Sequence, residues 1–196
     1  MEKFISRNEG IIEDSYGKVI YYDVDRFIKK IVKSENCFIC GAVPGSKQFN
    51  NEHILPAWLQ RKLKLSNHKI TLPNGILFPY SKYKIPCCEQ CNSEMGEQIE
   101  KPIQALIEGG AEAVNKHLET NGSRLILNWL CLMFLKTHLK DRNFRSDLDV
   151  RKDNGKIADR YDFERLHHIH CIARSFYTGA IWNPPFLGTL FVFPAK

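Results

Sequence analysis

A chain of 196 residues, 43% hydrophobic and 26% charged, has an ordinary globular composition, which excludes a wholly disordered chain, a collagen-like fibre and a long coiled coil. At roughly 150 residues per domain it suits one domain, or a small module with an appendage. The net charge of +6 permits a polyanionic partner without requiring one. The longest apolar run, Leu125 to Leu135, contains Asn128 and falls short of the roughly 20 residues of a membrane span. The opening MEKFISRNEG carries no apolar run of the secretory kind, so a cytoplasmic location is expected. Seven cysteines in that setting argue for reduced thiols and metal binding rather than disulfides.

In chain order, Val19, Ile20, Tyr21 and Tyr22 predict a short strand. Phe27, Ile28, Ile31 and Val32 predict one face of a short helix. Residues 37–100 are punctuated by glycine and proline, which favours short strands and loops. From Asn92 onward Met95, Ile99, Ile103 and Leu106 recur at helical spacing. Pro102 should bend or restart that helix and Gly109-Gly110 should end it. Residues 123–145 predict the strongest helix, apolar on most sides, with Ser123 as its N-cap. Residues 141–165 read as an exposed loop or short helices. There Arg142, Arg145, Arg151 and Lys152 alternate with Asp141, Asp147, Asp149 and Asp153, as on an ion-paired surface. The tail reads as two β-rich stretches around a Trp-Asn-Pro-Pro turn. In the first, His168 and His170 would share a strand face as exposed histidines; the second, FLGTLFVFP, would be a core strand or a dimer edge.

The chemistry concentrates in the cysteines. Cys37-Phe-Ile-Cys40 and Cys88-Glu-Gln-Cys91 are two C-x2-C pairs, and a tetrahedral zinc ion wants four such ligands. The separation of about 47 residues exceeds that of a zinc ribbon, so something is inserted between the knuckles. Cys87 competes with Cys88 as a ligand; only Cys88 leaves a two-residue gap to Cys91. Cys131 and Cys171 are isolated among apolar residues and read as core filling. The insertion holds Asn51-Glu52-His53-Ile54-Leu55-Pro56, and Asn92 follows the second knuckle at once.

CFIC, then NEHILPAWL, then CCEQCNSEMGEQIE resembles the HNH endonuclease family, within the His-Me finger or ββα-metal group whose hairpin is stapled by a four-cysteine zinc. The likeness covers about residues 37–100. It implies an α+β fold: an N-terminal strand and helix over 1–36, a zinc-stapled ββα-metal core over 37–110, and a helical and β-rich C-terminal extension over 111–196. It implies a bacterial or phage-encoded nuclease. In it His53 is the general base, and Glu52 and Asn92 hold a catalytic Mg²⁺ or Mn²⁺. The zinc on Cys37, Cys40, Cys88 and Cys91 is structural. Glu100, on the face of Asn92 two turns on, is a further candidate ligand. The middle Asn of the family falls at Tyr83; Asn74 is the nearest upstream Asn, and the role of orienting the base is unassigned.

Arg61, Lys62, Lys64, Lys69, Lys82 and Lys84 surround the motif, with Trp58 and His68 nearby, and would contact double-stranded DNA through its phosphates. A homodimer or an activating protein partner is compatible with the sequence. The rival reading is a non-catalytic zinc-ribbon module that binds nucleic acid or protein. A redox thiol protein fits less well, because four cysteines around a His/Asn pair suit zinc better.

Overall fold

Short apolar runs separated by turn residues give the amino-terminal part small antiparallel pairings. The structure is a computed structural model and describes residues 5–7, 10–152 and 155–181. β1 (Ile5–Arg7), β2 (Ile11–Glu13) and β3 (Val19–Tyr22) form a three-stranded antiparallel sheet in that order. Asp14 closes the β2–β3 turn, its Oδ1 accepting from the backbone N–H groups of Tyr16 and Lys18, each at 2.9 Å. Asp23 caps α1 (Val24–Phe27) by accepting from the Arg26 N–H at 2.7 Å. A π-helical turn, Ile28–Val32, follows and buries Ile31 and Val32. Strand and helix thus fall where the apolar spacing puts them.

Between the cysteine pairs lie β4 (Phe49–His53), α2 (Ala57–Lys62), β5 (Lys69–Thr71), β6 (Leu77–Pro79) and β7 (Lys84–Cys88). β5 and β6 form a hairpin. Asn74 closes it: Oδ1 accepts from the Ile76 N–H at 3.1 Å, and Nδ2 donates to the Arg145 carbonyl at 2.7 Å. β4 and β7 pair antiparallel from Phe49 opposite Cys88 to His53 opposite Lys84. This pairing, between strands distant in sequence, carries the site.

β7 runs directly into α3 (Glu89–Met95), which continues through a π-helical turn, Gly96–Glu100, into α4 (Lys101–Glu108). Pro102 cannot donate to a carbonyl one turn back, and the wider turn falls just before it. Met95, Ile99 and Ile103 are buried, as their spacing predicts. Gly110, at φ +76°, opens α5 (Gly110–Asn121). No helix among the described residues is long and apolar enough to cross a membrane.

α6 (Arg124–Asp141) is the long helix expected, but Ser123 makes no side-chain capping bond. It buries Trp129, Leu132, Leu135 and Leu139 together with Asn128, Lys136 and Asp141. Asn128 Nδ2 donates to the Ile172 carbonyl at 2.7 Å and to Ser175 Oγ at 2.6 Å. Asp141 is no surface ion-pair partner: it is buried and accepts from Tyr83 Oη at 3.0 Å and Tyr161 Oη at 2.6 Å. Arg151 and Asp149 do pair at the surface, at 2.9 Å; Asp153 lies outside the described residues. One apolar core joins Phe27, Ile31, Phe38, Ile39, Met95, Leu132 and Leu135.

The expected strand around His168 and His170 is a helix, α7 (Phe163–Ala173), followed by α8 (Ser175–Thr178). Asp162 caps α7 by accepting from the Arg165 N–H at 3.2 Å. Residues two apart on a helix do not share a face, so His168 is exposed while His170 is buried against Phe27, ring centroids 3.8 Å apart. The Trp-Asn-Pro-Pro turn and FLGTLFVFP lie outside the described residues.

Burial holds the His170 imidazole well below its ordinary range, and His167, His138, Arg174 and His168 add to the effect. The unfolded chain then takes up a proton near pH 6.5 that the native state refuses, so stability falls as pH drops through and below that value. Thermal melting from pH 7.5 down to 5.5 should show a falling Tm, with a shallower fall in His170→Phe. Equal slopes in the two proteins would show that His170 contributes nothing to the acid sensitivity.

Candidate metal centre and active site

The first cysteine pair sits in a tight turn. The Cys37 N–H donates to the Ala42 carbonyl and the Gly41 N–H to the Cys37 carbonyl, both at 2.8 Å. Gly41 takes φ +77°, and a Cβ there would lie 2.1 Å from Tyr22 Oη, so no larger residue fits. In the second pair, Cys88 ends β7 and Cys91 lies in the first turn of α3. The Glu89 N–H donates to the Gln48 carbonyl at 2.9 Å and ties this corner to the approach to β4.

The ligand atoms of Cys37, Cys40, Cys88 and Cys91 all lie within 4.8 Å of one another. Cys40 Sγ and Cys88 Sγ are 3.7 Å apart. A tetrahedron with metal–sulfur bonds of about 2.3 Å has edges of about 3.8 Å, so the four sulfurs fit a metal ion such as zinc. Cys88, not Cys87, belongs to the set. Cys87 is a fifth buried thiol, its Sγ 3.8 Å from Cys37 Sγ. Hydrogen bonds from Cys40, Cys87 and Cys91 hold Cys37 far below the usual thiol range. Its hydrogen bond to Cys37 pushes Cys40 up to about 12. Cys131 and Cys171 are half-buried and apart from the centre. A hydrogen-bond contact of 3.9 Å joins the Cys171 sulfur to His167.

The β4–β7 register puts the acidic and histidine residues on the strand paired with the one that ends at this centre, three and four residues along from the pair formed by Phe49 and Cys88. Glu52 lies opposite Ile85 and is buried; His53 lies opposite Lys84 and is half-buried. Successive residues of a strand face opposite ways, so Glu52 shares its face with Asn50. Asn92, in α3, donates through Nδ2 to Asn50 Oδ1 at 2.9 Å. Its hydrogen bond therefore runs to the residue two before Glu52, not to Glu52 itself. Glu100, from the π-helical turn, converges with Glu52 on one buried cation: Lys136 Nζ lies 2.6 Å from Glu52 Oε1 and 3.7 Å from Glu100 Oε1. The same ammonium donates to the His53 carbonyl at 2.8 Å. Burial pushes the Glu100 carboxyl up to about 7; Lys136 opposes that shift and Glu52 adds to it. Burial, then Lys84, holds the His53 imidazole below its ordinary value against the opposing pull of Glu52. His53 is thus neutral near pH 7.

Tyr83, at the position of the middle Asn, is buried and bonded to Asp141, and its carbonyl accepts from the Ile54 N–H at 3.0 Å, pinning the backbone just after His53. Asn74 is committed to its own turn. Among the basic residues, Arg61, Lys62, Lys64, Lys69 and Lys82 are exposed and Lys84 is half-buried. Trp58 offers no surface for a base to stack on: it is buried and stacks on Trp129, ring centroids 6.5 Å apart.

Lys136 escaped the sequence reading. Its signal was a lone charge three residues before Leu139, four after Leu132 and seven after Trp129, in register with the apolar face of α6. No protein-family description, curated protein or solved structure matches the chain.

Bound metal should follow Cys88 rather than Cys87. Cys88→Ser is expected to lose stoichiometric zinc by elemental analysis and to unfold readily, since a structural zinc contributes on the order of 10 kcal/mol. Cys87→Ser should retain one zinc. The opposite pattern would move Cys87 into the ligand set.

Proposed function

We propose that the chain is a metal-dependent HNH-type endonuclease that hydrolyses phosphodiester bonds in DNA, with β4, β7 and α3 as its ββα-metal core and a structural zinc in the four-cysteine centre. The observation that carries this reading is the β4–β7 register. It makes the Glu52-His53 strand the direct partner of the strand that delivers Cys88 and Cys91. A passive four-cysteine module has no need of a buried glutamate and a neutral histidine at that place.

Glu52, Asn92 and Glu100 offer the hard oxygens that Mg²⁺ or Mn²⁺ takes. Two carboxylates converge here on the Lys136 ammonium, so an ion held by Glu52 and Glu100 would share them with that lysine; the bond from Asn92 Nδ2 to Asn50 leaves the Asn92 side-chain oxygen as the atom that would face the ion. When bound, the ion supplies Lewis-acid stabilisation of the phosphorane and of the leaving 3′ oxygen. His53 does the proton transfer: as a neutral imidazole it takes a proton from water at a ring nitrogen. Arg61, Lys62, Lys64, Lys69, Lys82 and Lys84 neutralise backbone phosphates of double-stranded DNA, an affinity that weakens with salt. The products carry 5′-phosphate and 3′-hydroxyl ends.

A second reading, a non-catalytic zinc module that binds nucleic acid or protein, draws on two observations. Lys136 satisfies Glu52 without any divalent ion, and Tyr83 stands where the family has Asn.

Supercoiled plasmid incubated with the zinc-loaded protein and Mg²⁺ or Mn²⁺ separates the two. Metal-dependent nicking is expected, reduced by about 100-fold or more in His53→Ala with zinc content unchanged. Equal cutting by the variant would remove His53 from the chemistry. Zinc-loaded proteins that both shift DNA on a gel and never cut would establish the binding module instead.

A further inference from the structure

Among the residues that α6 buries, Lys136 carries a charge in the middle of an apolar stretch. Lys136 has 1% of its side chain exposed and lies in register with Leu132 and Leu139. An ammonium so buried must be paired and hydrogen-bonded, or it destabilises the fold strongly. Among the described residues its polar partners are Glu52 Oε1 at 2.6 Å, the His53 carbonyl at 2.8 Å and Glu100 Oε1 at 3.7 Å. All three belong to residues of the proposed active site. A methionine of similar length would serve the packing of the helix as well.

We infer that Lys136 is a positioning residue of this site: one ammonium ties the Glu52 carboxylate, the Glu100 carboxylate and the main chain of His53 into one fixed arrangement. The inference rests on the nuclease reading above. The bond to the His53 carbonyl fixes the end of β4, and with it the root of the imidazole. The bond to Glu52 holds a single carboxylate oxygen, Oε1, and so fixes the orientation of that carboxylate. The positive charge between Glu52 and Glu100 lets two carboxylates approach that would otherwise repel. α6 thereby acts on the reaction from behind the strand without touching DNA. A misplacement of order 1 Å at such a site lowers turnover by up to about 100-fold.

Steady-state cleavage of an oligonucleotide duplex with Mn²⁺, together with bound zinc and thermal melting, tests this in wild type, Lys136→Met and Lys136→Gln. Lys136→Met should keep its zinc and the wild-type KM for DNA while kcat falls about 30-fold or more. Lys136→Gln, which keeps an N–H donor without the charge, should lie between the two. A folded variant of either kind with kcat within about threefold of wild type overturns the proposal, as does a change confined to KM. Loss of zinc and of cooperative melting in both variants also overturns it, because the lysine would then hold the fold rather than the site. A wild-type chain that does not cut removes the nuclease reading and this role with it; variants that match a cutting wild type remove the role of Lys136 alone.

Discussion

Four sulfur atoms within 4.8 Å of one another constrain everything around them. They join a turn near residue 40 to the start of α3 some 48 positions later. Closing a loop of that length costs about 3 kcal/mol in chain entropy on the logarithmic scaling of loop closure, which a structural zinc on the four cysteines, at on the order of 10 kcal/mol, would more than offset. With that corner closed, β7 can enter the centre only in one direction, and α3 must leave from it. The partner of β7 is then fixed as well, because the Glu89 N–H reaches the Gln48 carbonyl just ahead of β4. A shift of one residue would turn Glu52 away from the core and His53 into it.

The second constraint comes from α6. Its three buried polar residues each reach a different part of the molecule: Asn128 the α7–α8 junction, Lys136 the Glu52-His53 strand, Asp141 the two tyrosines Tyr83 and Tyr161. An apolar helix could slide or rotate among its neighbours at little cost. Polar groups that must find partners in the interior fix its register and its rotation. Tyr83 links the two constraints, since its hydroxyl bonds to Asp141 while its carbonyl holds the backbone next to His53.

Legibility in the sequence followed the range of the interactions. The cysteine pairs, the strand at 19–22, the helix from Asn92 and the long helix could all be read, because spacing and periodicity are local properties of the chain. Cys88 could be preferred to Cys87 for the same reason. The stretch around His168 could not: its β-rich look came from Ile169, Phe176 and Tyr177, whereas the cap at Asp162 and the burial of His170, Ile172 and Ala173 belong to a helix packed on α1 and α6. Trp58 looked available to nucleic acid because its neighbours are basic, yet Trp129, 71 residues away, covers it.

By itself, then, the sequence supplied the two cysteine pairs of the candidate metal centre, with Cys88 preferred to Cys87, and the adjacent Glu52-His53 and Asn92 as candidates, since a knuckle's two-residue gap and an adjacent Glu-His pair are covalent facts. The tertiary structure alone decided which of these groups meet. It put Asn92 on Asn50, drew Glu52 and Glu100 to one ammonium, and made that ammonium Lys136 of a distant helix. The reason is physical: a buried charge acquires its partners only when the core closes around it, and no spacing along the chain encodes an approach across 84 residues.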